Sequence, residues 1–165
     1  MTTIAFSAGY MSADSSWNDA DGLLTRRSKI IKLSSGGLLG EAGAYDTRDM
    51  IELLDKVKKP AQLPSRRQIG DLKLEYSAIL VLPGGKIYHV FADPPETDSG
   101  HWDSGVYEVG ETFFAVGSGK SYAFAILEEG GSAKRAVEIA CRRDLHTRPP
   151  VHVVQLPVKN APKRR

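Results

Sequence analysis

The side chains able to do chemistry are scattered along this chain, and none of the common motifs collects them. There is no His-Glu-x-x-His, no Gly-x-Ser-x-Gly and no Walker loop, so the usual zinc-protease, serine-hydrolase and nucleotide signatures are missing. His89, His101, His146 and His152 fall at no spacing that would present two imidazoles to one metal ion. The single cysteine, Cys141, cannot build a disulfide framework or a multi-cysteine zinc site; beside Ala140 on the inner half of a helix it reads as a small core residue. Gly117-Ser118-Gly119 alone is a turn signal. Taken one at a time, Asp14 and Lys29 read as an ordinary ion pair and Asp144 as a cap after its helix. Hydroxyl chemistry would need more than a hydroxyl, because an unactivated one is a poor nucleophile without a base in hydrogen-bond reach.

The elements that must position these groups belong to one domain. A chain of 165 residues has room for no more, and 41% apolar residues suffice for a core. Twenty-two basic against 20 acidic residues leave +2, which gives no electrostatic case for nucleic acid or an anionic membrane as the main partner. Apolar runs such as Ala78 to Leu82 are far short of the roughly 20 residues a membrane helix needs. Met-Thr-Thr-Ile-Ala at the start has no basic segment followed by an apolar one, so a cytoplasmic protein is expected. Sixteen glycines, several in Gly-x-Gly or Gly-Gly steps, are many for this length.

Strands are predicted over Thr3–Phe6, over a second run ending near Asp14, and at Lys29–Leu33 and Leu38-Leu39. Ser15–Gly22 reads as a loop. From an N-cap at Asp46, Met50, Leu53, Leu54 and Val57 recur at helical spacing, predicting a helix to about Lys58 that Pro60 and Pro64 end. Lys59–Asp71 reads as a loop. Tyr76–Leu82 and Lys86–Val90 flank Pro83-Gly84-Gly85 as a hairpin, and a wet segment over Asp93–Gly105 follows. Phe113–Val116 is a strand. Two helices come next, the first marked by Tyr122, Ala125 and Ile126, the second capped by Ser132 with Ala133, Ala136, Val137 and Ala140 inside. Val151–Leu156 is a last strand, and Lys159–Arg165 a basic tail. The order predicts an α+β layered domain.

Six separated pieces, taken together, resemble one family in that family's own order. They are Thr2-Thr3-Ile4-Ala5, Ser12-Ala13-Asp14-Ser15, Lys29-Ile30-Ile31-Lys32-Leu33, Gly40-Glu41-Ala42-Gly43, Val116-Gly117-Ser118-Gly119 and Arg143-Asp144-Leu145-His146-Thr147. The chain is thereby similar to the proteasome β-type fold, the threonine-dependent branch of the N-terminal-nucleophile (Ntn) hydrolases that includes the bacterial HslV protease. The resemblance runs from the first residue to about Leu156. It implies a four-layer αββα sandwich and peptide-bond hydrolysis by Thr2 once Met1 is removed, with no cofactor and no metal.

Roles follow from the resemblance residue by residue. The Thr2 hydroxyl would attack and its own α-amine, with an ordinary pKa near 8, would take the proton through a water. Lys29 would be a fixed positive charge beside that hydroxyl, Asp14 its partner, and the Gly43 N–H the oxyanion donor. Ser118, Asp144 and Thr147 match positions that hold the amine, and Gly119 would assist through its backbone. Glu41 matches the base of the pocket for the residue before the scissile bond, where a carboxylate implies Lys or Arg substrates. Gly40 would lie on the strand that meets the substrate backbone. The partners implied are a peptide or unfolded protein, a homo-oligomeric ring and an ATPase unfoldase.

The chain departs from the family in three ways. Asp14-Ser15 is followed by Ser16, Trp17 and Asn18 where the family often has Arg-x-Thr, so Trp17 stands where pocket wall and substrate contacts are expected. The interval from Asp46 to Tyr76 predicts one helix where the family has two, a trimmed form similar to proteins of bacteriophage and bacterial genomes. While Met1 is present, the Thr2 nitrogen is an amide without a basic lone pair. Two other readings stay open: a catalytically silent ring-forming protein on this fold, and an amidase acting on a small amide.

Overall fold

Alternation along short strands sorts the molecule into layers. In β1 (Thr3–Ser7) Ile4 and Phe6 point to one side of the sheet and Ala5 to the other, and each side has its own core. The protein is described here from a computed structural model, which covers residues 2–18, 24–26, 28–43, 47–95, 100 and 102–157, with residues 17, 18 and 24–26 as backbone only. The tail from Lys159, Asp46 and His101 lie outside the described residues.

The first sheet is antiparallel. β1 sits between β2 (Tyr10–Ala13) and β10 (Phe113–Gly117), and β11 (His152–Gln155) flanks β2. The second runs β5 (Ile30–Lys32), β6 (Leu38–Gly43), β7 (Tyr76–Val81), β8 (Ile87–Asp93), β9 (Asp103–Glu108), every pair antiparallel and in chain order. A two-stranded ribbon, β3 (Ser16–Asn18) with β4 (Leu24–Arg26), occupies part of the stretch expected as a loop. Four α-helices, α1 (Arg48–Asp55), α2 (Arg66–Gly70), α3 (Lys120–Glu128) and α4 (Ala133–Arg143), and a 3-10 turn at Pro60–Gln62 complete the described elements.

Three apolar clusters separate the layers. Ile4, Phe6, Met11 and Val116 of the first sheet meet Leu38, Ile79, Val81 and Ile87 of the second. On the outer face of the second sheet, Leu39, Ala78, Leu80 and Val90 pack with Met50 and Leu54 of α1 and Ile69 of α2. On the outer face of the first, Ala5 and Ala115 pack with Ala123 and Leu127 of α3 and Ala133, Ala136 and Val137 of α4. The architecture is therefore α+β, with two antiparallel sheets face to face and helices on both outer faces. β7 shows why a strand covered on both faces carries an unbroken apolar run: Ala78 and Leu80 face helices, Ile79 and Val81 the other sheet.

Several boundaries differ from expectation. α1 ends at Asp55, with Val57 buried in the turn beyond it, and its N-cap is Thr47, whose side chain makes no capping bond. The segment expected as a loop holds α2, opened by a capping box in which Gln68 N–H donates to Ser65 Oγ and Ser65 N–H to Gln68 Oε1. The second helix of this layer is thus shortened to five residues. β9 lies in the stretch read as wet. In α3 the buried residues are Ala123 and Leu127, while Tyr122 points to solvent.

Gly40 has a packing role in place of the substrate contact expected of it. It pairs with Ile30 on one side and Ile79 on the other, so its backbone edge is closed on both. A Cβ there would come within 2.6 Å of Met11 Sδ and 2.7 Å of Ile4 Cγ2. The missing side chain lets the two sheets approach, and overfilling such a site costs about 1–3 kcal/mol. Gly40→Ala is expected to lower the melting temperature by several degrees, measured by differential scanning calorimetry; an unchanged melt would show that the sheets can part freely there.

Candidate functional site

The site is built where strands end. Thr2 precedes β1, Asp14 follows β2, Lys29 precedes β5, Gly43 closes β6, Ser118 follows β10 and Asp144 is the C-cap of α4. Antiparallel pairing of Thr3 with Gly117 and of Ile4 with Ala13 gathers the first-sheet members at one end. Stacking of the sheets brings Lys29 over to them.

Lys29 Nζ donates to Thr2 Oγ1 and to Asp14 Oδ1, the latter at 3.0 Å. Neither side chain of the ion pair reaches solvent. Burial lowers the pKa of the Lys29 ammonium and the Asp14 charge opposes that, with the net direction downward. Asp14 is anchored further by N–H groups of Thr3 at 2.9 Å, Ser16 at 2.8 Å and Arg148 at 3.3 Å. A buried ammonium with a fixed partner, resting on a hydroxyl oxygen, stabilises negative charge on that oxygen as it develops and can exchange a proton with it.

A second carboxylate is linked to Thr2 through Ser118. Asp144 Oδ2 accepts from Ser118 Oγ at 2.6 Å and from Thr147 Oγ1. Burial works to raise the Asp144 pKa, but those two hydroxyls, together with the backbone N–H and the ring of His146, turn the net direction downward. Ser118 also ties this group to Thr2, its N–H donating to the Thr2 carbonyl at 2.8 Å. Thr2, Asp14, Lys29, Ser118, Asp144 and Thr147 therefore form one contiguous constellation.

Gly43 completes the edge. Glu41 N–H donates to the Lys29 carbonyl at 3.0 Å, and alternate N–H groups of a strand point the same way, so the Gly43 N–H faces that same edge. Gly43 is exposed, and among the described residues no strand pairs with it there. Glu41 is buried, on the face of β6 that carries Leu39, and accepts from Tyr76 Oη at 3.4 Å. Burial, with the Glu41 charge beside it, pushes the Tyr76 hydroxyl well above its ordinary range, so it stays a neutral donor. The backbone of Trp17 pairs with Thr25 in the ribbon; its side chain lies outside what is described.

Sequence reasoning missed two contributors, Arg148 and Thr3. Arg148 acts through its backbone N–H, which no residue type signals. Gly119, expected to assist through its backbone, has an N–H that donates to Thr3 Oγ1 at 3.1 Å. Thr3 is buried, and strand alternation from Thr2 would have pointed its side chain the opposite way, toward the helices. Cys141 lies on α4 within electrostatic reach of Asp14 and Lys29, and burial pushes its thiol up to about 11. At pH 8 only about one thiol in a thousand is then ionised. Alkylation by iodoacetamide is expected to be slow at pH 8 and to rise steeply toward pH 11; rapid labelling at pH 8 would contradict this environment. Among the described residues no three His, Cys, Asp or Glu side chains gather to hold a metal ion, and no helix is long and apolar enough to cross a membrane.

No protein-family model matches the chain, and no curated protein matches it. Solved structures do. Thiobacillus denitrificans BPH superposes with a TM-score of 0.56 at 21% identity, over 94% of this chain and 98% of that one. The structure of Thiobacillus denitrificans BPH in complex with epoxomicin gives 0.56 at 20% identity over the same shares. This likeness covers nearly the whole of both chains and establishes a shared fold.

Proposed function

We propose that this chain is a threonine-type peptidase of the proteasome β-type Ntn-hydrolase fold, with Thr2 as nucleophile once Met1 is removed. The observation that carries the reading is the buried Asp14–Lys29 pair directed at the Thr2 hydroxyl. In the proposed cycle the Thr2 oxygen attacks the scissile carbonyl while its proton passes through water to the free α-amine. The oxyanion forms at the Gly43 N–H. The protonated amine then gives its proton to the leaving nitrogen, leaving an ester on Thr2 that a water hydrolyses, which restores the hydroxyl. Lys29 holds the oxygen's developing charge, and the Ser118, Asp144 and Thr147 cluster fixes the amine. Support comes also from the shared fold with a protein whose structure was solved with epoxomicin; that ligand belongs to the Thiobacillus protein.

The same proposal includes Glu41 as the carboxylate that selects Lys or Arg before the scissile bond, and assembly into a homo-oligomeric ring. The test is intact mass after incubation with epoxomicin, an epoxyketone that needs both the hydroxyl and the free amine of an N-terminal threonine. Loss of one methionine followed by addition of one inhibitor per chain is the expected result. Processed protein that gains no mass would sink the reading. Fluorogenic peptides then probe Glu41: wild type should prefer basic over apolar residues, and Glu41→Ala should erase that preference. Sedimentation velocity reports the ring.

A further inference from the structure

Two carboxylates are linked to Thr2, Asp14 through Lys29 and Asp144 through Ser118, and one residue touches the network of each. The Thr3 N–H donates to Asp14 Oδ1 at 2.9 Å, on the oxygen that also takes Lys29. Its hydroxyl lies 2.6 Å from Thr147 Oγ1 and accepts the Gly119 N–H at 3.1 Å. Thr3 and Thr147 are 0% and 1% exposed, so water does not compete for these bonds. The proton order is fixed by the far end: Thr147 donates to Asp144 Oδ2, so its oxygen must accept from Thr3. The series runs from Gly119 N–H to the Thr3 hydroxyl, the Thr147 hydroxyl and the Asp144 carboxylate, where Ser118 Oγ also donates. Space around it is tight. A Cβ on Gly119 would come within 2.3 Å of Thr3 Oγ1 and 3.2 Å of Thr147 Oγ1.

We infer that Thr3 is a positioning residue: through its N–H on Asp14 and its hydroxyl on Thr147 it locks the Lys29–Asp14 pair and the Ser118–Asp144–Thr147 cluster into one register around Thr2. The inference rests on the proposed Thr2 chemistry. Thr2 and Thr3 are joined by one peptide, whose carbonyl is held by Ser118 N–H and whose nitrogen is held by Asp14. The Thr3 carbonyl accepts the Asp14 N–H at 3.2 Å, and the Thr3 hydroxyl is the tether that reaches the Asp144 cluster. Releasing it lets the nucleophile turn relative to Lys29 and lets the amine turn relative to Asp144. A misplacement of about 1 Å at reacting groups costs on the order of a hundredfold in rate.

Thr3→Val keeps the β-branched shape and removes the hydroxyl; Thr3→Ser keeps the hydroxyl. In processed protein, with Met1 loss verified by mass, the maximal inactivation rate and the half-saturating concentration for epoxomicin are measured separately. Thr3→Val should lower the maximal rate about ten- to a hundredfold and leave the half-saturating concentration unchanged. Thr3→Ser should recover most of that rate. Thr147→Val should match Thr3→Val, and the double variant should be no slower than either single one, because both cut the same series. A merely structural role would lower the melting temperature without this split. A wild-type rate in Thr3→Val, an equal loss in Thr3→Ser, or additive losses in the double variant would overturn the inference while wild-type labelling leaves the Thr2 reading standing. An unreactive processed wild type would overturn both. If Thr3→Val is not recovered folded, Thr147→Val with Thr3→Ser carries the same comparison.

Discussion

If Thr2 is the nucleophile proposed above, Lys29→Met should abolish epoxomicin labelling and peptide hydrolysis while leaving the protein folded. The ammonium is the positive charge resting on the Thr2 oxygen, and losing one preorganised stabiliser of that kind costs on the order of a thousandfold in rate. Its effect on stability is a separate matter. Breaking a buried ion pair usually costs about 3–5 kcal/mol, because the surviving partner is left charged and unpaired. Here Asp14 would still accept three backbone N–H groups, from Thr3, Ser16 and Arg148, so the loss should lie at or below the lower end of that range. The reverse substitution is worse. Asp14→Ala strands a buried ammonium with the Thr2 hydroxyl, and it deprives those three N–H groups of their acceptor. Melting temperature and labelling measured together on both variants separate these effects. Lys29→Met should melt below wild type and Asp14→Ala further below it, with neither labelled. Labelling of Lys29→Met at the wild-type rate would remove Lys29 from the chemistry.

Which parts of this architecture are legible in the sequence follows from the range of the forces involved. The inner face of α4 is readable because Ala133, Ala136, Val137 and Ala140 recur at the helical period against a polar outside. In α3 the run from Tyr122 to Leu127 is apolar all round, so its phase is undetermined until the sheet beneath it selects Ala123 and Leu127. Five residues are too few for periodicity to reveal α2, although Ser65 and Gln68 carry its start signal. β9 begins Asp103-Ser104-Gly105, residues that disfavour strands, and forms because β8 offers a full ladder to pair with.

The site obeys the same logic over longer distances. Thr2, Asp14, Lys29 and Asp144 carry no local signature, since their meeting depends on two sheets stacking and on one end of each strand. Resemblance at six separated pieces brought them together as an expectation, and the side-chain geometry brings the same residues into contact. It could not anticipate Gly40, which shares β6 with Gly43 at the site edge while its own missing side chain serves the inter-sheet core.

Gly117→Ala should disable the site as completely as loss of Lys29, by moving backbone instead of removing charge. Gly117 has φ +96°, in the left-handed region that favours glycine, and an alanine there carries roughly 1–3 kcal/mol of strain. The larger difficulty is steric. An added Cβ would sit 1.9 Å from the Thr2 carbonyl oxygen and 2.7 Å from its carbon, and backbone atoms cannot rotate away as a side chain can. Thr3 pairs with Gly117 across the ladder and Ser118 N–H holds the Thr2 carbonyl, so relief requires opening the β1–β10 register at its end. Thr2 would then shift by well over an ångström relative to Lys29, enough to cost a hundredfold or more in rate by the usual sensitivity of about two decades per ångström. Gly84→Ala is the matching control, in the β7–β8 turn with φ outside the left-handed region and nothing within 4 Å of the added carbon. Gly117→Ala is expected to lower the melting temperature and eliminate labelling, and Gly84→Ala to change neither. Wild-type labelling in Gly117→Ala would mean that Thr2 tolerates displacement and that its register with Lys29 is not what makes it reactive.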